Sequence, residues 1–189
     1  MANSVSFDSN IWYRFTSNSS NAGRALDGDS NGLPNGYEDL IMQPLGSYTG
    51  QYWQLSSQPS GYYQLCSMWL GPDYRLGYYV DNASTYHPAL FTGQSRDASN
   101  EQWNVTSLGD GVFSLVNQDV SANTQSPLYL DVAGTEPILG GENYGDNWGW
   151  IITEIQPIDN ESYSSVSSGA ATVCSQSWSL LLGTGTDDT

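Results

Sequence analysis

The chain has 189 residues, with 4 Lys+Arg against 20 Asp+Glu and a formal net charge of −16. A polyanion of that density repels phosphate backbones and anionic lipid, so nucleic acid and membrane surfaces are set aside as partners and no membrane insertion is expected. All four basic residues are arginines, Arg14, Arg24, Arg75 and Arg96, which removes lysine-dependent Schiff-base and phosphate-loop chemistry.

Hydrophobic residues make up 38 % and aromatic residues 13 % of the chain, enough to bury a core, while charged residues are only 13 %. With Gly, Ser, Asn and Thr abundant, this balance points to short strands joined by many turns, an all-β protein. Residues 1–10 read as an N-terminal extension. MANSVSFDSN has neither a basic stretch nor an apolar run, so no signal peptide is expected in it.

Strand-like segments with period-2 alternation then open at Trp12 (WYRFT), Tyr62 (YYQLC) and Val112 (VFSLV). Each is followed by a segment ending in a tryptophan just ahead of an aliphatic strand: Trp53, Trp103 and Trp150, spaced 50 and 47 residues apart. Aliphatic-Asp pairs form a second ladder at Leu26-Asp27, Val80-Asp81 and Leu130-Asp131, spaced 54 and 50. Three units result, at about 11–55, 61–106 and 111–155, each with room for roughly four short strands between turn clusters. Twelve strands in three copies close on themselves and so dispose of their edges, which makes the domain at 11–157 a β-trefoil by count.

Beyond it, residues 158–189 are rich in serine and read as a flexible tail. Its one apolar run, Leu180 to Leu182, is far short of the roughly 20 residues that span a bilayer. Cys66 and Cys174 lie far apart, the second within this tail, so no disulfide scaffold is expected.

Gln51-Tyr52-Trp53, Glu101-Gln102-Trp103 and Trp148-Gly149-Trp150 resemble the Q-x-W repeat of ricin B-type lectins, most like fungal members, with the first copy matching in full. The resemblance covers the three repeats. It implies a non-catalytic carbohydrate-binding module for galactose-type or related glycans, with glycans or glycoproteins as partners and no required cofactor. The repeat tryptophans themselves read as core, one per unit near the threefold axis.

In that family each sugar pocket combines an Asp after the second strand, an Asn three residues before the motif Trp, and an aromatic platform about ten before it. The carboxylate accepts from two sugar hydroxyls, the amide both donates and accepts, and the ring packs on the apolar face of the sugar. Carried onto this chain, the second unit has Asp81 with Asn100 and the third has Asp131 with Asn147, while the first pairs Asp27 with Gly50 and is expected to have lost its pocket. Gln43, Gly93 and Gly140 hold the platform positions. Phe91, with Tyr86 and His87, in the second unit and Tyr144 in the third are the rings placed to stand in. Each Asp has an alternative role as a turn-capping carboxylate.

Asp27-Gly28-Asp29-Ser30-Asn31-Gly32 followed by Glu38 matches the D-x-D-x-N-G-x5-E calcium-loop pattern, which makes Asp27, Asp29, Asn31 and Glu38 candidate ligands. An Asx/Gly turn is the other reading of the same residues. His87 is the single histidine, and neither a G-x-S-x-G elbow nor a Cys/His cluster accompanies it, so no enzyme is expected. The rival to a lectin is a trefoil that has lost sugar binding and works as a protein-interaction module or protease inhibitor. The absence of lysine, the high Ser/Thr/Asn content and the Ser-rich tail lean toward a secreted setting, while the missing signal peptide leans the other way.

Overall fold

The computed structural model describes residues 5–18, 23–33, 37–92, 99–119, 126–141 and 148–155. Twelve strands run through them: β1 Trp12–Ser17, β2 Arg24–Leu33, β3 Tyr37–Pro44, β4 Trp53–Ser57, β5 Tyr63–Ser67 and β6 Tyr74–Val80. The rest are β7 Tyr86–Thr92, β8 Trp103–Gly109, β9 Val112–Asn117, β10 Tyr129–Ala133, β11 Glu136–Gly140 and β12 Trp150–Ile155. Two short 3-10 turns, Thr49–Gln51 and Ser99–Glu101, lead into β4 and β8.

Antiparallel pairing closes six strands into a ring, β1-β4-β5-β8-β9-β12, with β12 returning to β1. The other six form three hairpins, β2–β3, β6–β7 and β10–β11. This is the β-trefoil expected from the repeat, and the threefold relation holds residue by residue. Tyr13, Tyr63 and Phe113 pair with Trp53, Trp103 and Trp150. Gly61 and Gly111, at φ +85° and +76°, adopt the left-handed backbone needed to turn the chain from β4 into β5 and from β8 into β9.

The three tryptophans are fully buried in one core with Phe15, Leu65 and Leu115. An indole N–H cannot be left unpaired there, and each donates to a carbonyl of its own unit: Trp53 to Leu26 at 3.1 Å, Trp103 to Leu76 at 2.8 Å and Trp150 to Leu130 at 2.8 Å. These bonds fix which hairpin residues correspond between units.

Residues ahead of β1 also join the packing. The Phe7 ring makes edge contacts with Tyr13, Tyr63 and Phe113, one ring from each unit, at 5.3, 5.6 and 5.5 Å between centroids. The Tyr63 hydroxyl donates to the Val5 carbonyl at 2.8 Å, and the Asp8 N–H donates to the Tyr13 hydroxyl at 2.9 Å. The Ser-rich tail, 158–189, lies outside the described residues. Cys66 on β5 is disulfide-bonded, contrary to the expectation of no disulfide; Cys174, the chain's other cysteine, falls outside the described residues.

Candidate functional site

The tryptophan bonds correct the second ladder. Trp53 and Trp103 each reach 27 residues back, to Leu26 and Leu76, and Trp150 reaches 20 back, to Leu130. The residues that follow are Asp27, Gly77 and Asp131. Asp81 is therefore not the counterpart of Asp27 and Asp131; it lies four residues further on, just past the end of β6. There its Oδ1 accepts from the backbone N–H of Ala83 and Thr85 at 2.9 and 2.8 Å, and its Oδ2 lies 3.0 Å from His87 Nε2. The Thr85 N–H and then His87 hold this carboxyl below its ordinary range. Asp81 caps a turn.

In the first unit, Asp27 and Asp29 alternate along β2 and so share a face, with Ile41 and Asp39 directly opposite on β3. Asp27 is 7 % exposed. Its Oδ2 accepts from Gln51 Nε2 at 3.1 Å, and that amide also donates to the Pro44 carbonyl while its Oε1 accepts from the Gly46 N–H. Burial raises the Asp27 pKa, against the opposing effect of the bonds from Gln51 and the Gly28 N–H.

Gly50 lies directly against this carboxylate: a Cβ there would collide with Asp27 Oδ1 and come within 3.0 Å of the Gly28 nitrogen. The glycine at the expected Asn position is thus what lets Asp27 keep its place. Asp27 lines an open cleft of about 690 Å3 together with Asp29, Gln43, Thr49, Tyr48 and Trp69. Tyr48 is 59 % exposed. Trp69, from the turn after β5, belongs to the second unit, and a Cβ on Gly28 would approach its ring to 2.7 Å, so a strand glycine makes room for the indole.

The same position in the second unit is built differently. A Cβ on Gly77 would meet the Phe91 ring and the Asn100 carbonyl oxygen, each at 3.1 Å. Phe91 is 4 % exposed and packs on Tyr37 at 4.4 Å, so it fills the core side of this hairpin instead of offering a sugar its face. Tyr37 stacks on Tyr79 and Tyr79 on His87, at 5.5 and 5.0 Å, and Tyr86 packs on Tyr78. Glu101 stands where the first unit has Gln51. It is completely buried, and both carboxylate oxygens lack a hydrogen-bond partner. Burial raises its pKa, with Arg75 pulling the other way.

In the third unit Asp131 is 1 % exposed, its Oδ1 accepting from the Val132 N–H at 2.6 Å, and burial raises its pKa. Asn147, Tyr144 and Gly93 lie outside the described residues. Gly140 ends β11 opposite Tyr129, whose ring packs on Trp148 at 4.9 Å.

The calcium-loop pattern folds as strand. Asp29 pairs with Asp39 across the hairpin, so Glu38, one residue along, points to the opposite face from Asp27 and Asp29. Asn31 lies on β2 among side chains that are not described. Among the described residues no group of three or more His, Cys, Asp or Glu side chains is placed to hold a metal ion.

Tyr48 and Trp69 were missed in the sequence because neither sits at the platform position, and Trp69 arrives from another unit. Gly28, a glycine inside a strand, was the available signal of a close approach.

No family model matches the chain, and no curated protein matches it. Among solved structures it is similar to ThreeFoil, a designed 3-fold symmetric protein, at 25 % identity over 76 % of this chain and 99 % of that one, with a TM-score of 0.56. It is also similar to the β-trefoil lectin of the Vibrio vulnificus hemolysin/cytolysin, solved with N-acetyl-D-lactosamine bound: 19 % identity, 78 % and 95 % covered, TM-score 0.53. A mosquitocidal holotoxin matches at 15 % identity and TM-score 0.66 over 82 % of this chain, which spans 18 % of the toxin's length. The chain is an all-β β-trefoil, related in fold to trefoils of lectins and toxins. No helix among the described residues is long and apolar enough to cross a membrane.

Proposed function

We propose that this trefoil is a carbohydrate-binding module of the ricin B kind, non-catalytic, which takes galactose-type or related glycans in the first-unit cleft. The observation that carries the reading is Asp27. Its carboxylate is held by Gln51 and the Gly28 N–H at the edge of an open cleft walled by Tyr48 and Trp69. A pyranose packs its C–H face on an aromatic side chain while its hydroxyls donate to the carboxylate, a division of labour that needs both group types within one cleft. Gln43 and Thr49 add polar groups beside them. In the second unit Gly77 stands at the position of Asp27, with the Asn100 carbonyl oxygen and the Phe91 ring against it, so Asp81 and Phe91 take no part. The third-unit set of Asp131, Asn147 and Tyr144 is a second site of the same kind.

Binding requires no metal, and the protein works outside the cell, where a disulfide such as that of Cys66 persists. A glycan array run with calcium and with a chelator tests the proposal. Galactose-type ligands should bind equally in both. Absence of any glycan binding would favour the rival, a protein-interaction module or protease inhibitor.

A further inference from the structure

The outer face of the barrel occurs in three copies, and one of them is shut. Strand alternation turns Gln54 on β4 and Cys66 on β5 away from the core residues Trp53, Leu55 and Leu65, and the two pair directly. With Trp12 at the start of β1 and Met68 just past β5 they make an uncharged patch, in which each residue is at most 2 % exposed. By the threefold register their counterparts in one copy are Tyr62, Asn104, Val116 and Gln118. All four are half-buried or exposed, and they line an open groove of about 280 Å3. In the other copy Val112, Ile151, Thr16 and Asn18 are again half-buried or exposed, and Val112 and Asn18 line a groove of about 270 Å3. The same backbone plan leaves two faces open, so burial of the third needs a cover of its own.

We infer that the cover is this chain's own C-terminal segment, docked on the β4–β5 face and held there by a disulfide between Cys66 and Cys174. Cys66 is disulfide-bonded, and the chain has two cysteines. The path is short. β12 ends at Ile155, which pairs with Trp12, so the chain leaves the barrel at the rim of the covered patch. From Ile155 to Cys174 it can extend about 60 Å at ~3.3 Å per residue, whereas crossing from β1 over β4 to β5 takes about 10 Å at ~4.8 Å per strand. The composition also fits. The chain has net charge −16, yet no charged residue occurs between Glu161 and Asp187, so this stretch can lie on the barrel without adding to the repulsion. Val173 and Trp178 flank the cysteine and supply apolar surface to set against Trp12 and Met68.

The test follows the full chain by mass spectrometry. Proteolysis of the monomer without reductant should release one peptide pair joined through Cys66 and Cys174. Hydrogen exchange of the intact oxidised chain should be at least about tenfold slower over residues 173–178 than over 162–168, and reduction should abolish the difference. Methionine oxidation by dilute peroxide reads the face itself. Met68 should resist in the wild-type chain and oxidise at least about tenfold faster in Cys174→Ser, while Met42, which is fully buried in the core, stays protected in both and reports that the fold is kept. A Cys66 joined to a second copy of the chain, uniformly fast exchange across 158–189 in the oxidised protein, or a Met68 equally protected in wild type and Cys174→Ser would each overturn the proposal. Hydrogen exchange uses the unsubstituted chain, so it decides the matter even where Cys174→Ser fails to fold.

Discussion

The first and second units share a backbone plan and differ in where they keep an acidic group. In the first, the hairpin residue after the tryptophan-bonded leucine is Asp27, the position three before the tryptophan is Gly50, and the motif glutamine, Gln51, binds the carboxylate. In the second the same three positions are Gly77, Asn100 and Glu101. The carboxylate has crossed from the hairpin strand to the 3-10 turn, where it is buried and without a hydrogen-bond partner. Phe91 packs against the vacated strand position, with Tyr37 against its ring. One unit thus presents its acid to a cleft, and the other buries it without a hydrogen-bond partner. Threefold folding depends on the tryptophan and leucine positions, which leaves the polar positions free to diverge.

The largest effects should fall on what the two units share. Trp53→Ala and Trp103→Ala should each cost about 3–5 kcal/mol, as truncation of a buried aromatic does, and by similar amounts in chemical denaturation. A clear inequality would show that the two cores are not equivalent.

Where the units differ, Glu101→Gln should stabilise the protein at neutral pH by about 1–3 kcal/mol, the range for an unsatisfied buried polar group, because Gln is the residue the first unit accommodates here. The folded-state pKa of Glu101 lies above its unfolded value. The folded state therefore holds the proton more firmly, and the stability tied to it is complete below the unfolded pKa of about 4.3. It is lost as pH rises through the raised folded value. Asp27 and Asp131 shift in the same direction. Glu101→Gln should flatten the fall in denaturation midpoint between pH 4 and pH 7, and an unchanged slope would mean that Glu101 finds a partner in solution.

A smaller effect is expected from Gly50→Ala. The added methyl group displaces the Asp27 carboxylate at a stability cost of about 1 kcal/mol, within the common range for point substitutions, yet it should remove glycan binding. Retained affinity would show that the carboxylate can move aside and still serve.

The strand count, threefold order and tryptophan ladder were legible because one large buried side chain per unit must recur wherever three copies share a core. The Asp ladder was not, because an aliphatic-Asp pair also ends β6 at Val80-Asp81, and that second match masked Leu76-Gly77, whose 27-residue separation from Trp103 repeats that of Leu26 and Trp53. Strand pairing sets Asp29 and Glu38 of the calcium-loop pattern on opposite faces, a placement that residue spacing alone does not reveal. Trp69 could not be placed from sequence, since its contact with Gly28 joins two units. The role of Phe7 was hidden for a related reason, in that its three aromatic partners come from three separate repeats.

The most direct test is a calorimetric titration of the Asp27→Ala, Asp81→Ala and Asp131→Ala variants with the best galactose-type ligand from the array. Loss of the Asp27 carboxylate should reduce affinity by at least about tenfold, since a hydrogen bond to a charged group is worth about 1.5–3 kcal/mol. Asp81→Ala should leave affinity unchanged, because that carboxylate is occupied by the Ala83 and Thr85 N–H groups and His87. Full affinity in Asp27→Ala together with its loss in Asp81→Ala would contradict the account and return the site to the second unit.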